Sequence, residues 1–450
     1  MFTRISLGIV LLGLSPRLWS QADSSTTSSA NSAMVAPAPV SGEGYSMDFA
    51  SETPRTNYLS GGIVLGAAYG DGILTAAGNG VDDVSYSVSP TIALDQTRSR
   101  FHWNLAYSPG FTFYQKYSGL NQSSQNVATK FSYRLTPHVT FSTQEVFTKT
   151  SGGYSPSCDN QTGSLCGPLQ TPNNSVVAPV TDTLNNASNA QITYQFSPGG
   201  MVGATGNFSE LRYPNQAEAP GLFGSSAAGG SAFYTHRLSG KHYIGATYQF
   251  QKYATHADAL TAEGAPGTQT QSLMLFYTLY LQHTVSFSLF GGPQYTNTSG
   301  ELFFGIVLPP LRSWSPGGGG SLNWQGQHNS LTASYSRRIS DGGGLQGAVS
   351  FNGADASIRH QFTAALSGTL GADYTVNKIL DPAATSNGST GGHSLSGTCT
   401  VQRTLGEHFN LTAGYLRLHQ SYDVTSLSVV PNRDRVWLSI AYQFQRPLGR

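Results

Sequence analysis

The amino-acid sequence predicts an all-β fold, a single antiparallel up-and-down transmembrane β-barrel of about eighteen strands, with about sixteen as the other count that the segments allow. Three observations predict it. From about residue 58 onward, apolar side chains recur at every second position, the spacing that gathers them on one face of a strand. The links between these segments are short and long in turn. After the extreme N-terminus no stretch approaches the roughly 18 consecutive apolar residues that a membrane helix needs, so crossing a bilayer falls to strands.

The elements follow in chain order. Arg4 gives a charged start, Ile5 to Leu14 an apolar stretch, and Ser20-Gln21-Ala22 a small-x-small cleavage site, so residues 1–22 are expected to be a signal peptide and the chain to be exported. Residues 23–57, rich in Ser, Thr, Ala and Pro and without periodic apolar spacing, are expected to be a disordered tail. The barrel is expected over 58–446. Over 84–95, Val84, Tyr86, Val88, Ile92 and Leu94 alternate with Ser85, Ser87, Ser89, Thr91 and Ala93. Over 101–113, Phe101, Trp103, Leu105, Tyr107, Phe111 and Phe113 alternate with His102, Asn104, Ala106, Ser108 and Thr112. Residues 362–377 set Phe362, Leu366, Leu370, Tyr374 and Val376 against Thr363, Ser367, Thr369, Asp373 and Asn377. The last strand sets Val436, Leu438, Ile440, Tyr442 and Phe444 against Ser439, Ala441, Gln443 and Gln445.

Short links are expected at 96–99, 136–138, 197–200, 239–241, 327–329, 359–361 and 404–408, alternating with longer ones near 70–83, 116–124, 151–183, 213–224, 255–268, 297–314, 377–393 and 421–433. The rhythm breaks at the short Asp341 to Gly344 connection, where a long loop is due. Segments near 225–238, 315–326 and 345–358 alternate poorly and are glycine-rich. Closure is required by the solvent: an open sheet edge in hydrocarbon leaves each unpaired backbone group at a cost of several kcal/mol.

Composition fits one such domain in 450 residues. Charged residues are only 10%, against roughly 25% in soluble proteins, while Gly numbers 52, Tyr 23 and Phe 22. A net charge of +1 gives no basic surface for nucleic acid. Cys158 and Cys166, in CDNQTGSLC, are candidates for a disulfide in an oxidising compartment, with a metal or redox pair as the alternative; closing that ring removes chain entropy worth about 2 to 3 kcal/mol. Cys399 falls in the apolar phase of a strand and reads as a small hydrophobe.

With its signal-like start, repeated hairpins and aromatic final strand VWLSIAYQF, the chain over about 58–446 resembles the bacterial outer-membrane β-barrel (porin-like) proteins as a class, with no subfamily motif. The resemblance implies short turns and both termini on the periplasmic side, long loops outside, outer-membrane lipid and the barrel assembly machinery as partners, and homo-oligomerisation as an option. Such barrels often end on an aromatic residue, whereas here QRPLGR follows Phe444. A tail of about 35 residues is too short for the plug of a TonB-dependent transporter.

An aqueous lumen is expected at this strand number. His102, Lys130, Arg134, Arg338 and Asp373 alternate with outward apolar neighbours and are the candidate pore-lining residues; the excess of cations favours anionic or neutral polar solutes. Glu145 and Arg337 fall in the outward phase and are expected at bulges or above the bilayer. Leu302 to Leu311 is unusually apolar for an external loop. No catalytic, cofactor or metal set is expected. The eleven His residues are scattered, the Gly run 317–320 lacks the Lys-Ser/Thr of a phosphate loop, and His256, Asp258 and Glu263 read as a solvated loop. The expected function is a channel for small hydrophilic solutes or a polysaccharide chain, the alternative a non-conducting barrel acting as surface adhesin or envelope-assembly scaffold, and not an enzyme.

Overall fold

Period-two patterning resolves into eighteen long strands: β1 Asn57–Leu74, β2 Gly80–Thr97, β3 Phe101–Tyr114, β4 Gln122–Thr136, β5 Val139–Thr150, β6 Thr183–Ser197, β7 Gly200–Arg212, β8 Gly224–Arg237 and β9 His242–His256 in the first half. The second half comprises β10 Gly267–Gln282, β11 Val285–Thr298, β12 Leu311–Gln325, β13 Asn329–Ser340, β14 Val349–Thr363, β15 Leu366–Ile379, β16 Gly391–Leu405, β17 Phe409–Tyr422 and β18 Asn432–Pro447. The computed structural model describes 57–74, 80–150, 181–215, 222–256, 267–282, 284–299, 310–380, 391–422 and 432–447, with two two-residue pairings, Val35–Ala36 with Met47–Asp48 and Leu302–Phe303 with Ile306–Val307. The expected signal peptide 1–22, the expected tail 23–57 apart from the first of those pairings and Asn57, and the Cys158–Cys166 loop lie outside the described residues.

Each strand pairs antiparallel with the next, and β18 pairs with β1 from Asp434↔Asp71 to Pro447↔Tyr58, which closes the barrel. An even number of up-and-down strands puts Asn57 and Pro447 at one rim. The links at that rim are short: β2 to β3, β4 to β5 and β6 to β7 turn within three residues or fewer.

The outer face carries the exposed apolar phase read from the sequence: Tyr86, Ile92, Tyr107, Phe111, Leu370, Tyr374, Val436, Leu438 and Phe444 are all exposed. An apolar exterior on a closed sheet is the arrangement that lipid demands. Two links depart from expectation. The turn placed at 359–361 lies at 364–365, because β14 stays paired with β13 as far as His360 and with β15 as far as Gln361, then shifts register before Thr363 pairs with Leu366. A short link between Gln282 of β10 and Val285 of β11 carries no glycine or proline to mark it in the sequence.

The core is the inner wall of β7 to β11. Inner glycines there receive neighbouring rings: a Cβ on Gly203 would collide with the Phe233 ring, and one on Gly245 with the Phe276 ring. Phe233, Phe276, Met201 and the partly buried Phe290 form one cluster. Gly229 leaves room for a reciprocal amide pair that bridges over β8, with Asn207 Nδ2 donating to Gln251 Oε1 at 3.2 Å and Gln251 Nε2 to Asn207 Oδ1 at 2.9 Å. The inner side chains of this sector, among them Thr205, Ser231, Thr247, Thr270 and Ser272, are therefore buried against one another.

Candidate functional site: the lumen and an inward-folded connection

The connection 341–348 between β13 and β14 is short, and it folds into the barrel. Its glycines allow this: Gly343, Gly344 and Gly347 have φ of 60, 106 and 79°, left-handed values that glycine adopts without a Cβ penalty. Tyr253 Oη donates to the Ile339 carbonyl at 2.9 Å, Ser225 Oγ to Asp341 Oδ2 at 3.0 Å, and the Gly347 amide to Thr255 Oγ1 at 3.1 Å. The Phe223 amide bonds the Gly344 carbonyl at 2.9 Å. Leu345, 1% exposed, packs with Leu211, Tyr213, Leu222, Val349, Ile379 and Tyr422, so one apolar cluster joins β7 to β14, β15 and β17 across the lumen. Burial, and then the Asp341 carboxylate, push the Tyr213 hydroxyl above its ordinary range.

The hairpin leaves the wall to do so. β12 pairs with β13 only from Gln325↔Ser330 to Gly318↔Arg337, whereas β13 stays paired with β14 to Ser340↔Val349. Ile339, outward in register, is thereby turned onto the inner wall beside Ala227 and Tyr253. Arg337 lines a cleft there with Arg338, Gln249, Gln251, Gln294 and Met274. That resolves one phase-breaking charge without a bulge. The other, Glu145, stays exposed on the outer face between Thr129 and Ser188 in unbroken register, so of the two expectations, a bulge or a place above the bilayer, the bulge is absent.

All five candidate residues occupy the inner register. His102 Nε2 lies 3.5 Å from Asp95 Oδ2, and Lys130 sits between Asn104 and Gln144. Arg134 is at the foot of β4. Arg338 stacks over the Phe351 ring at 4.9 Å. Asp373 accepts from Ser396 Oγ at 3.0 Å and stands directly across from Asp355, itself bonded by Ser334 Oγ. Asp355, Arg359 and Asp373 are exposed although they face inward, which places open space in front of β14 and β15. The structure groups His102 and Lys130 on β3 and β4, six to eight strand steps from the acidic pair, nearly opposite in a ring of eighteen.

Sequence reasoning missed Asp355 and the whole connection; the broken loop rhythm at Asp341 was the available signal. Asp258 and Glu263 lie outside the described residues, and His256 is 3.6 Å from Glu210, which also holds Arg212 at 2.5 Å. Among the described residues no group of three His, Cys, Asp or Glu side chains is placed to hold a metal. The Gly run 317–320 lies within β12, and Cys399 is free and exposed on the outer face of β16.

No protein-family model matches the chain, and no curated protein does. Among solved structures it is similar to the outer membrane protein OpdK from Pseudomonas aeruginosa, at 11% identity and a TM-score of 0.41, covering 86% of this chain and 99% of that one. It is also similar to the FrpB iron transporter from Neisseria meningitidis, at 8% identity and 0.42, covering 87% and 82%. The ferric citrate transporter FecA in its unliganded form gives 11% and 0.45, covering 87% and 79%.

Proposed function

We propose that the chain is an outer-membrane channel of a bacterial envelope, passing small hydrophilic solutes or a polysaccharide chain through a lumen narrowed by the 341–348 connection. The observation that carries this reading is the set of exposed, inward-facing polar side chains on β14 and β15, Asp355, Arg359 and Asp373, with open space in front of them. An eighteen-stranded barrel is about wide enough for such a channel. Residues 1–22 then serve as export signal and 23–57 as a periplasmic tail, with lipid and the assembly machinery as partners and no catalysis. Of the five pore-lining candidates, Lys130, His102 and Arg134 form a basic wall opposite Asp373, and Arg338 belongs to the connection's base.

Planar-bilayer recording of the refolded chain tests this. A stable open state is expected, and Lys130→Glu with Arg134→Glu shifts its reversal potential toward cation preference. Absence of any open state at every voltage and salt concentration defeats the proposal. The adhesin or scaffold reading draws on the same connection, since an apolar cluster across the mouth also suits a barrel that never conducts; it gains if loosening the connection gives no current either.

A further inference from the structure

Polar side chains on the outer face are sorted by sign over one sector of the barrel. Toward the rim away from Asn57 and Pro447, the outward phase of β15, β16 and β17 carries Lys378, His393, Arg417 and His419. The outward phase of β18, β1 and β2 carries Asp434, Asp71 and Asp82. Lys378, Arg417, Asp71 and Asp82 are exposed. The two sets meet at the seam between β17 and β18, where Arg417 Nη1 lies 4.0 Å from Asp434 Oδ1 and Tyr415 Oη donates to the same oxygen at 2.6 Å. Asp434 stands directly across from Asp71, a like-charge pair that costs stability unless cations come near.

The stagger of the barrel sets the heights of these groups. Ala372, Gly397, Arg417, Asp434 and Asp71 form one ladder from β15 to β1. Ladders climb in this direction, since Leu366 at the foot of β15 connects through Arg403, Leu411 and Ile440 to Leu65, well above the foot of β1. At a spacing of about 4.8 Å and a tilt of about 40°, each strand adds about 3 Å, so Asp71 stands about 9 Å above Gly397. His393, four residues further up β16, stands about 10 Å above Gly397. On the same scale Lys378, six residues up β15 from Ala372, and Asp82, next above the Gly70↔Asp83 pair on β2, both lie about 15 Å above Ala372.

β16 and β1 are equally far from the β17–β18 seam, and so are β15 and β2. A twofold axis along the membrane normal in front of that seam therefore sets β16 of one copy against β1 of the other and β15 against β2. His393 then faces Asp71 and Lys378 faces Asp82, each at matching height. Below them Gly397 faces Ala67, and a Cβ on Gly397 would meet nothing within 4 Å, so the walls can approach closely there. Within one copy β15 and β2 are about 24 Å apart along the wall, too far for Lys378 to reach Asp82.

We propose that the outer face from β15 to β2 is the interface of a twofold homodimer, whose partner is a second copy of this chain held by Lys378 to Asp82 and His393 to Asp71 contacts made twice. Neutral imidazole has an N–H in either tautomer, so His393 can donate to a carboxylate. Lys378, with the longest stem, spans the wider gap that opens between two curved walls away from the axis. Each pair alone contributes little at an exposed rim; the apolar faces supply the contact and the charges fix the register. The dimer rests on the membrane-embedded reading above but not on conduction, so a barrel silent in planar bilayers still pairs.

Native mass spectrometry of the full chain released from detergent micelles is expected to show two copies per complex. Lys378→Glu with His393→Glu in one variant, and Asp71→Lys with Asp82→Lys in another, each set like charge against like twice and are expected to lower the dimer at least tenfold. Mixed in equal amounts, the two variants are expected to regain it as one copy of each, which misfolded chains could not do. In bilayers, with the three native cysteines replaced by Ser, Ala413→Cys on β17 beside the axis is expected to crosslink to its copy through a short lipid-soluble bismaleimide, and Leu289→Cys on β11 is not. One copy or three per complex, a dimer indifferent to the charge variants, or no recovery on mixing overturns the proposal. Should a charge variant fail to fold, the two cysteine variants decide: no crosslink at 413, or equal crosslinking at 413 and 289, overturns it.

Discussion

Leu345→Ala is the sharpest probe of the inward-folded connection. Leu345 is 1% exposed and touches a cluster contributed by β7, β14, β15 and β17. Truncating a leucine so placed costs about 2–5 kcal/mol. The barrel's hydrogen-bonded ladders do not pass through residues 341–348, so this cost falls on the docked state of the connection and not on the closed sheet. At 1.4 kcal/mol per factor of ten, the undocked-to-docked ratio rises by roughly 30-fold to several thousand-fold. Single-channel recording of Leu345→Ala is expected to show brief excursions to a larger conductance that the wild type lacks. Gly344→Ala acts in the same direction, since φ is +106° there and a Cβ would sit 2.9 Å from Tyr213 Oη and 3.1 Å from Leu222 Cδ2. Gln346→Ala, a half-exposed neighbour, leaves the trace unchanged. The reasoning is refuted if Leu345→Ala keeps a single wild-type conductance level while its thermal midpoint drops, for then the connection is not a separate docking unit.

Three further outcomes follow from the closed sector and the outer face. Gly245→Ala drives a methyl into the Phe276 ring and the Tyr234 carbonyl and is expected to cost about 1–3 kcal/mol in urea unfolding, with Phe276→Ala in the same chain relieving part of it in a double-mutant cycle. Asn207→Leu strands the Gln251 amide and costs about 1–3 kcal/mol, whereas replacing both residues by Leu costs less than the sum of the single changes. Cys399, exposed between Leu370 and Tyr415 on the outer face, is expected to react in bilayers with a lipid-soluble maleimide and to resist a charged one; the opposite preference reverses the assignment of faces.

Where both faces of a strand carry side chains, the sequence was enough to place it. In β2, β15 and β18 the outward phase is Val, Ile, Leu, Tyr and Phe and the inward phase Ser, Thr, Asp and Gln, so period two is visible. β8 and β12 read poorly because their inner positions are Gly229, Gly317 and Gly319, kept small to admit Gln251, Gln294 and the Phe290 ring from neighbouring strands. That information sits on other strands and no local window contains it. The turn at 364–365 is Ala364-Ala365, with no glycine, proline or asparagine to mark it, which is why β14 seemed to end early. Arg337 was assigned correctly to the outward register, but register fixes a face relative to the strand and not relative to the barrel. Once β13 leaves β12, the outward face of its end looks onto the inner wall of β8 and β9, so Ile339 is buried there without any break in period.

The same use of glycine divides the barrel into two unlike halves. Along β7 to β11, rings and amides settle over glycines and the wall closes on itself, giving a dry inner surface with Phe233, Phe276 and Tyr253 at fixed positions. A connection folded inward needs such a surface, because it must exchange its hydration for contacts that already exist on the other side. The 341–348 segment docks on that half through Ser225 and Thr255, and Tyr253 holds the Ile339 carbonyl just before it. Its docking leaves the half from β14 round to β5, with exposed Asp355 and Asp373 and half-buried His102 and Lys130, as the side where ionisable side chains face inward without that packing. On the proposal that the chain conducts, selectivity and constriction fall to different strands: a change to the basic or acidic wall is expected to alter which ions pass while sparing the docked connection, and a change at Leu345 to alter how often the passage opens while sparing the ion preference.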